Sequence, residues 1–185
     1  MLRVDDLGSA FQLYWNDFER CQRSGAFFAL LHTTVCLPDI CAALESANGE
    51  STGAKYSTWC DKYFSHPELR GSERWKMRCK ILHQGRAIAG QAGRYSAFVF
   101  GEPDSSGTAD HLRVDGATLH VDVGRLFVET RQAVAKWISA LESNPSSAES
   151  LWAAKHLKLL VRISPHKVPI SGPGGATFAV VNKTN

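Results

Sequence analysis

An arginine and a histidine five residues apart are the pair in this sequence best suited to chemistry. They are Arg78 and His83, in the segment from Arg74 to Arg86 that reads RWKMRCKILHQGR. A guanidinium can hold two phosphate oxygens through a bidentate fork, and an imidazole exchanges protons near neutral pH. Together they could take the proton from a ribose 2′-hydroxyl and stabilise the charge that develops on the phosphorus oxygens, without a metal. The pair therefore predicts phosphodiester chemistry on RNA.

Three further cations surround this pair and are candidates for contacts with the RNA backbone. They are Arg74, Lys80 and Arg86. Arg74 and Arg78 are four residues apart, and like charges at that spacing slightly destabilise a helix. An anion bound nearby would offset this repulsion, which favours a phosphate-binding role for the segment.

Asp39 is an accessory candidate for the same site. Because it follows Pro38 at the expected start of a helical segment, it could complement the helix dipole, or it could orient a site histidine. Simpler roles exist for the pair as well: His83 would interact favourably with the last carbonyls of its helix, and Arg78 would be a solvated surface residue. The spacing alone is not specific, since Arg113 and His120 satisfy a looser form of it on a predicted hairpin.

Apolar residues at helical spacing predict six helices that would position these groups. The second contains Pro38, which should kink or break it, and the fourth should begin at Ser72 as N-cap and stop at Gly85. The predicted helices cover Leu7 to Phe18, Ser24 to Glu45, Tyr56 to Phe64, Ser72 to Gly85, Val123 to Leu141, and a last one from Ala148 with Ser146 and Glu149 as a capping box.

A small β element is predicted between the fourth and fifth helices. Residues Tyr95 to Phe100 alternate with period two, and Leu112 to Val121 reads as a hairpin that turns at Asp115-Gly116. The loop between them, Glu102 to Asp110, should be exposed. We expect a helical domain over residues 1–164 with a β insertion at about 94–121, followed by a C-terminal tail over 165–185 that is pinned by a strand at Thr177 to Val181.

Composition indicates an ordinary soluble globular chain. Its 185 residues are 44% hydrophobic and 21% charged, and its net charge of +3 permits a polyanionic partner without requiring one. The longest purely apolar stretch, Ala26 to Leu31, is too short to span a bilayer, so no membrane association is expected. Aromatic residues recur at helical spacing and should form the core, with His32 as a core histidine; the set is Trp15, Trp59, Tyr63, Trp75 and Trp137.

The cysteines favour a reducing compartment and no metal. Their number, five, is odd, and most of them fall on or beside apolar helix faces, where a thiol behaves as a small hydrophobe. His32, Cys36 and Cys41 match no zinc spacing. We therefore expect a cytoplasmic protein without a metal or cofactor.

The R-x4-H pair near the end of a late bundle helix resembles the HEPN superfamily, whose signature is R-x4-6-H. The strings from Leu37 to Glu45 and from Arg78 to Gly85 are also similar to bacterial HEPN-like proteins, and the resemblance covers Leu7 to Arg86. It implies a mainly α, HEPN-like helical bundle, here with a small inserted β-hairpin or sheet element. It also implies a homodimer with a composite site, acting as a metal-independent endoribonuclease in a toxin–antitoxin or anti-phage system, with an antitoxin or other protein partner.

Two other functions remain open from the sequence. One is a non-catalytic helical module that uses the same basic helix end to bind RNA, a nucleotide or a protein partner. Cys79 favours this reading, because active members of the superfamily often have a polar residue such as asparagine after the arginine. The other is a purely structural subunit of a larger complex, which should expose an apolar patch.

Overall fold

A computed structural model describes residues 6–87, 93–103 and 110–160 of the chain. This part is mainly α-helical with a small mixed sheet, in agreement with the predicted class. The elements in chain order are α1 Asp6–Arg23, α2 Phe27–Leu44, α3 Gly53–Tyr63, α4 Gly71–Gln84, β1 Ala97–Gly101, β2 Val114–Asp115, β3 Thr118–Asp122, α5 Val123–Ser143, α6 Ala148–His156 and a 3₁₀ turn Leu157–Leu159.

Helix α2 is the centre of the bundle and packs against the other five α-helices. It continues through Pro38 instead of breaking there, and Pro38 is buried with its neighbours Leu37 and Cys41. Their burial in the core offsets the hydrogen bond that proline removes. The 18 residues of α2 have a mean hydropathy of 1.7, so this helix is long and apolar enough to cross a membrane. Half of it is buried inside the fold, which is also typical of the core helix of a globular domain.

Aromatic side chains fill the core between α1, α3 and α5, as the sequence predicts. Phe11 of α1 lies 5.8 Å from Trp137 of α5 between ring centroids, and Trp59 of α3 lies 6.3 Å from the same indole. Trp15, Trp59 and Trp137 are all buried. Offset and edge-on ring contacts of this kind stabilise a core beyond the area they bury.

Helix α4, which carries the candidate pair, begins two residues earlier than predicted from Ser72 as N-cap. Its N-cap is Arg70, and the amide of Gly71 donates to the Asp61 carboxylate of α3 at 2.7 Å. Gly71 packs directly on the backbone of Ser57, where a Cβ would have no room. The start of α4 is thus fixed by α3 and not by a cap at Ser72. The helix ends at Gly85, which has a φ of 57°, as predicted for a left-handed C-cap.

The β element is a three-stranded sheet in the order β1-β3-β2. β2 and β3 form the predicted hairpin, which turns at Gly116 with a φ of 57°, and β1 adds to β3 in parallel with Phe98 opposite Leu119. Asp122 at the end of β3 caps α5 by accepting from the Arg125 amide at 2.7 Å. The sheet therefore leads directly into α5.

The structure corrects the predicted cap of α6, and three other predicted features lie outside the described residues. The cap of α6 is Ser147, which accepts from the Ser150 amide, and not Ser146. The tail over 165–185, its strand at Thr177 to Val181, and residues 104–109 of the predicted loop fall outside the described part of the chain.

Candidate functional site

The side chains of Arg78 and His83 meet at the exposed end of α4. Nη1 of Arg78 lies 2.9 Å from Nε2 of His83, although five residues of helix separate their backbones. A guanidinium has only donors, so Nε2 of His83 is the acceptor in this contact and the imidazole is neutral. The two groups that the sequence selected for phosphodiester chemistry are therefore in direct contact.

Asp39 of α2 joins the same cluster through the arginine. Its Oδ2 lies 2.6 Å from Nε of Arg78, and both side chains are 18% exposed. The sequence suggested that Asp39 could orient a histidine or complement a helix dipole, whereas in the structure its charged partner is the arginine. Ser51, in the loop before α3, donates its hydroxyl to Asp39 Oδ1 at 2.9 Å. No spacing pattern in the sequence pointed to Ser51.

The surroundings of Arg78 keep its guanidinium charged and in place. Partial burial acts to lower the pKa of Arg78, but the charge of Asp39 and the hydrogen bonds to Cys79 and Asp39 raise it above its ordinary value. The guanidinium carbon also lies 4.9 Å from the centre of the Trp75 ring, a cation–π contact. Trp75 in turn fills the space over Gly53, where a Cβ would come within 2.8 Å of the indole.

Cys36 adjoins this ion pair from α2. Burial raises the pKa of its thiol; the charge of Arg78 acts against this rise, and that of Asp39 adds to it. A raised pKa keeps the thiol protonated at neutral pH, so Cys36 is not a reactive thiolate.

Two of the three flanking cations lie where a polyanion could reach them. Lys80 is half-exposed and donates to Gln84 Oε1 at 3.2 Å, one helical turn away. Arg86 is exposed just beyond the end of α4. With Arg78 they place three positive charges along the C-terminal half of this helix.

Arg74, the third predicted RNA contact, is buried in the core. Its side chain is 2% exposed, its guanidinium stacks 3.6 Å from the centre of the Phe64 ring, and Nε donates to the Leu69 carbonyl at 3.0 Å. Nη2 faces Glu129 Oε2 of α5 at 3.5 Å. This burial is incompatible with the phosphate contact expected from the sequence, and the role of Arg74 is to join α4 to α5.

Glu129 is the centre of a second polar cluster that the sequence analysis missed. Its Oε1 lies 2.8 Å from Nε2 of His111 and 3.1 Å from Nε2 of His66. Burial would raise the pKa of Glu129, but the hydrogen bond from His111 and the electrostatic interactions with His111, Arg74 and His66 lower it below its ordinary value. The cluster borders an open cleft of about 740 Å³. Its members are far apart in the sequence, and no local motif unites them.

The hydrogen bonds of His111 argue against a metal in this second cluster. The Asp122 amide donates to Nδ1 of His111 at 3.1 Å, so Nε2 carries the proton and donates to Glu129. A metal-bound Nε2 would have to be unprotonated. Within residues 6–87, 93–103 and 110–160, no three histidine, cysteine, aspartate or glutamate side chains are placed to hold a metal ion.

His32, expected in the core, lies at its edge. It is half-buried, and its Nδ1 donates to the Phe28 carbonyl one turn earlier at 2.7 Å. The histidine and its neighbour Phe28 belong to the wall of a pocket near the end of α4.

Comparison of the chain with protein-family models, with curated proteins and with solved structures found no match. The functional argument consequently depends on the side-chain geometry alone.

Proposed function

We propose that this chain is a metal-independent endoribonuclease of the HEPN type, with a HEPN-like bundle formed by its helices. The observation that carries the proposal is the 2.9 Å contact between Arg78 Nη1 and His83 Nε2. It places a phosphate-binding group beside a neutral imidazole nitrogen that is able to accept a proton. The mainly helical fold and the position of the pair at the end of a bundle helix support the same proposal.

In the proposed reaction, an RNA phosphate takes the place of His83 on the guanidinium of Arg78. His83 Nε2 then removes the proton of the 2′-hydroxyl, the 2′-oxygen attacks phosphorus, and the bond from phosphorus to the 5′-oxygen breaks. The products are a 2′,3′-cyclic phosphate and a 5′-hydroxyl, which receives its proton from the imidazolium. Arg78 stabilises the charge on the phosphorus oxygens during attack.

Asp39 has a positioning role in this scheme. It holds Nε of Arg78 at 2.6 Å and is itself held by Ser51, which leaves the terminal nitrogens of the guanidinium for other partners. Bidentate binding of a phosphate needs such a fixed fork. Lys80 and Arg86 then attract the neighbouring phosphates of the strand.

The proposal includes a homodimer that joins two copies of this site. It also includes regulation by an antitoxin or another protein partner in a toxin–antitoxin or anti-phage system. The site requires no cofactor, because proton transfer and charge stabilisation both come from side chains. We place the protein in the cytoplasm, where RNA is accessible.

The test is cleavage of single-stranded RNA in EDTA. We expect the wild type to cleave and His83→Ala to lose at least a hundredfold in rate, which is the usual contribution of a general base. His120→Ala is the matched control, because His120 forms the other arginine–histidine contact of the described residues, 3.4 Å from Nη2 of Arg113, on the exposed hairpin. Equal rates for the wild type and His83→Ala would overturn the assignment.

The alternative is a non-catalytic module that binds RNA, a nucleotide or a protein partner. The closed arrangement of Arg78 on Asp39 favours it, since the ion pair must share its guanidinium with any phosphate. This alternative predicts RNA binding that weakens steeply with salt and no cleavage by the wild type.

A further inference from the structure

A pocket of about 430 Å³ adjoins the end of α4, two residues beyond His83. Its wall is mostly apolar and aromatic, and Arg86, His32 and Glu102 provide the charged and polar groups. Pockets of this size and character hold small planar ligands. The apolar part of the wall includes Phe27, Phe28, Leu31, Ile81, Phe98 and Phe100.

The pocket and the Arg78 site both lie beside α2 and α4, about two helical turns apart. His32 and Asp39 are seven residues apart on α2, which places them on the same face about 10.5 Å apart along the helix. Arg78 contacts Asp39, while Gly85, two turns later on α4, borders the pocket with His32. The two helices therefore run in opposite directions, and one or two nucleotides would reach from the ion pair to the pocket.

The exposed ring of Phe28 is the feature of this pocket that most favours a bound ligand. Its side chain is 81% exposed, and its ring lies 6.4 Å from the His32 ring with an interplanar angle of 34°. Exposed aromatic rings beside cations are the stacking platforms of proteins that bind single-stranded nucleic acids. Arg86 supplies that cation at the edge of the pocket.

His32 adds an acceptor that suits a base or a ribose. Because its Nδ1 donates to the Phe28 carbonyl at 2.7 Å, Nε2 of the neutral ring has a lone pair. An amino or imino group of a base, or a 2′-hydroxyl, could donate to it. The 2′-hydroxyl is the group that distinguishes RNA from DNA at such a site.

We propose that this pocket binds a nucleobase of single-stranded RNA next to the phosphate held by Arg78, with the base stacked on Phe28. The inference rests on the proposed function, because it takes the Arg78–His83 pair as the position of the scissile phosphate. It assigns to Phe28 and His32 the choice of the base that flanks the cleavage site.

The experiment measures binding of fluorescein-labelled hexauridylate and hexaadenylate at low salt in EDTA. It uses His83→Ala as the parent, so that the RNA stays intact. Adding Phe28→Ala should weaken binding by roughly five- to a hundredfold, the range expected for loss of one stacked base. Phe28→Trp should retain the affinity, and Leu151→Ala, which removes an apolar side chain that is 57% exposed on α6, should have no effect.

A second arm locates the base by removing bases from the RNA one at a time. An abasic position that lies in the pocket should weaken binding to the parent but have no further effect with Phe28→Ala, since the two changes remove the same contact. Additive losses at every position would overturn the proposal. Unchanged RNA affinity of Phe28→Ala would also overturn the proposal. If this variant changes the oligomeric state in light scattering but not the RNA affinity, Phe28 belongs to a protein interface and the proposal is wrong.

Cleavage by the wild type and by Phe28→Ala alone separates this inference from the proposed function. If RNA binding depends on Phe28 but no RNA is cleaved, the base-binding pocket is supported and the proposed nuclease activity is wrong. If both proteins cleave RNA with the same KM, the nuclease activity is supported and the base-binding role of the pocket is wrong.

Discussion

Arg74 and Arg78 are one helical turn apart on α4, yet they belong to opposite environments. Arg74 is 2% exposed and is surrounded by Phe64, the Leu69 carbonyl and Glu129. Arg78 is 18% exposed, and its guanidinium is shared between Asp39 and His83 at the surface. The difference shows that a basic helix segment can contain one cation that holds the fold together and another that remains accessible to a ligand.

The largest expected effect is on stability when the buried arginine is removed. Arg74→Ala should lower the free energy of unfolding by about 3–5 kcal/mol, because it leaves Glu129, which is only 14% exposed, without its guanidinium partner. Arg78→Ala should cost less than this, since Arg78 and Asp39 are each 18% exposed and Asp39 keeps its hydrogen bond from Ser51. Urea denaturation of the two variants measures both values. Equal losses would contradict the division of roles between the two arginines.

The second prediction concerns pH and the partner of Arg74. The pKa of Glu129 is lowered in the folded state, so its contribution to stability is complete above its ordinary value of about 4.5 and is lost as pH falls through the lower folded value. Glu129→Gln lacks this contribution. The stability difference between the wild type and Glu129→Gln should therefore shrink as pH falls below about 4.5, as measured by urea denaturation at a series of pH values.

A pH-independent difference between these two proteins would contradict a contribution of the Glu129 charge to stability. Asp17→Asn is a suitable control, because Asp17 pairs with Arg20 at the exposed surface of α1.

A smaller effect than that of Arg74→Ala is expected at the support beneath Arg78. Gly53→Ala places a Cβ within 2.8 Å of the Trp75 indole, so the ring on which Arg78 rests must move. We expect a loss of about 1–3 kcal/mol from overpacking, together with a lower rate of RNA cleavage. Gly8→Ala is the matched control: it is also helical, its Cβ would meet no atom within 4 Å, and it should stabilise α1 by about 0.4–1 kcal/mol. Unchanged cleavage by Gly53→Ala would show that Arg78 does not depend on Trp75.

Local sequence signals predicted much of the fold. Helical periodicity located the helices, Gly85 marked the end of α4, and Asp115-Gly116 marked the hairpin turn. Each of these signals depends on residues within a few positions of one another. The start of α4 was predicted at Ser72 because its true determinant, the Asp61 carboxylate, comes from another helix. The continuity of α2 through Pro38 likewise depends on its burial by neighbouring helices.

The residues of the candidate site could also be predicted only in part from the sequence. Arg78, His83 and Asp39 were selected for their chemistry, and the structure brings them together. Arg74 is predicted to contact RNA because the sequence does not show Glu129, 55 positions later, as its partner. Ser51, His66 and His111 were missed for the same reason, since only tertiary contacts give them a role.

The two ends of α4 differ in how tightly they are anchored. At its first residue, Gly71 is seated on the backbone of Ser57 without space for a single extra carbon, whereas around Gly85 a Cβ would meet nothing within 4 Å. The helix is thus fixed at its base and open at its tip, and His83 and Arg86 are at the tip. Side chains there can readjust around an incoming strand while the hydrophobic interior keeps its packing.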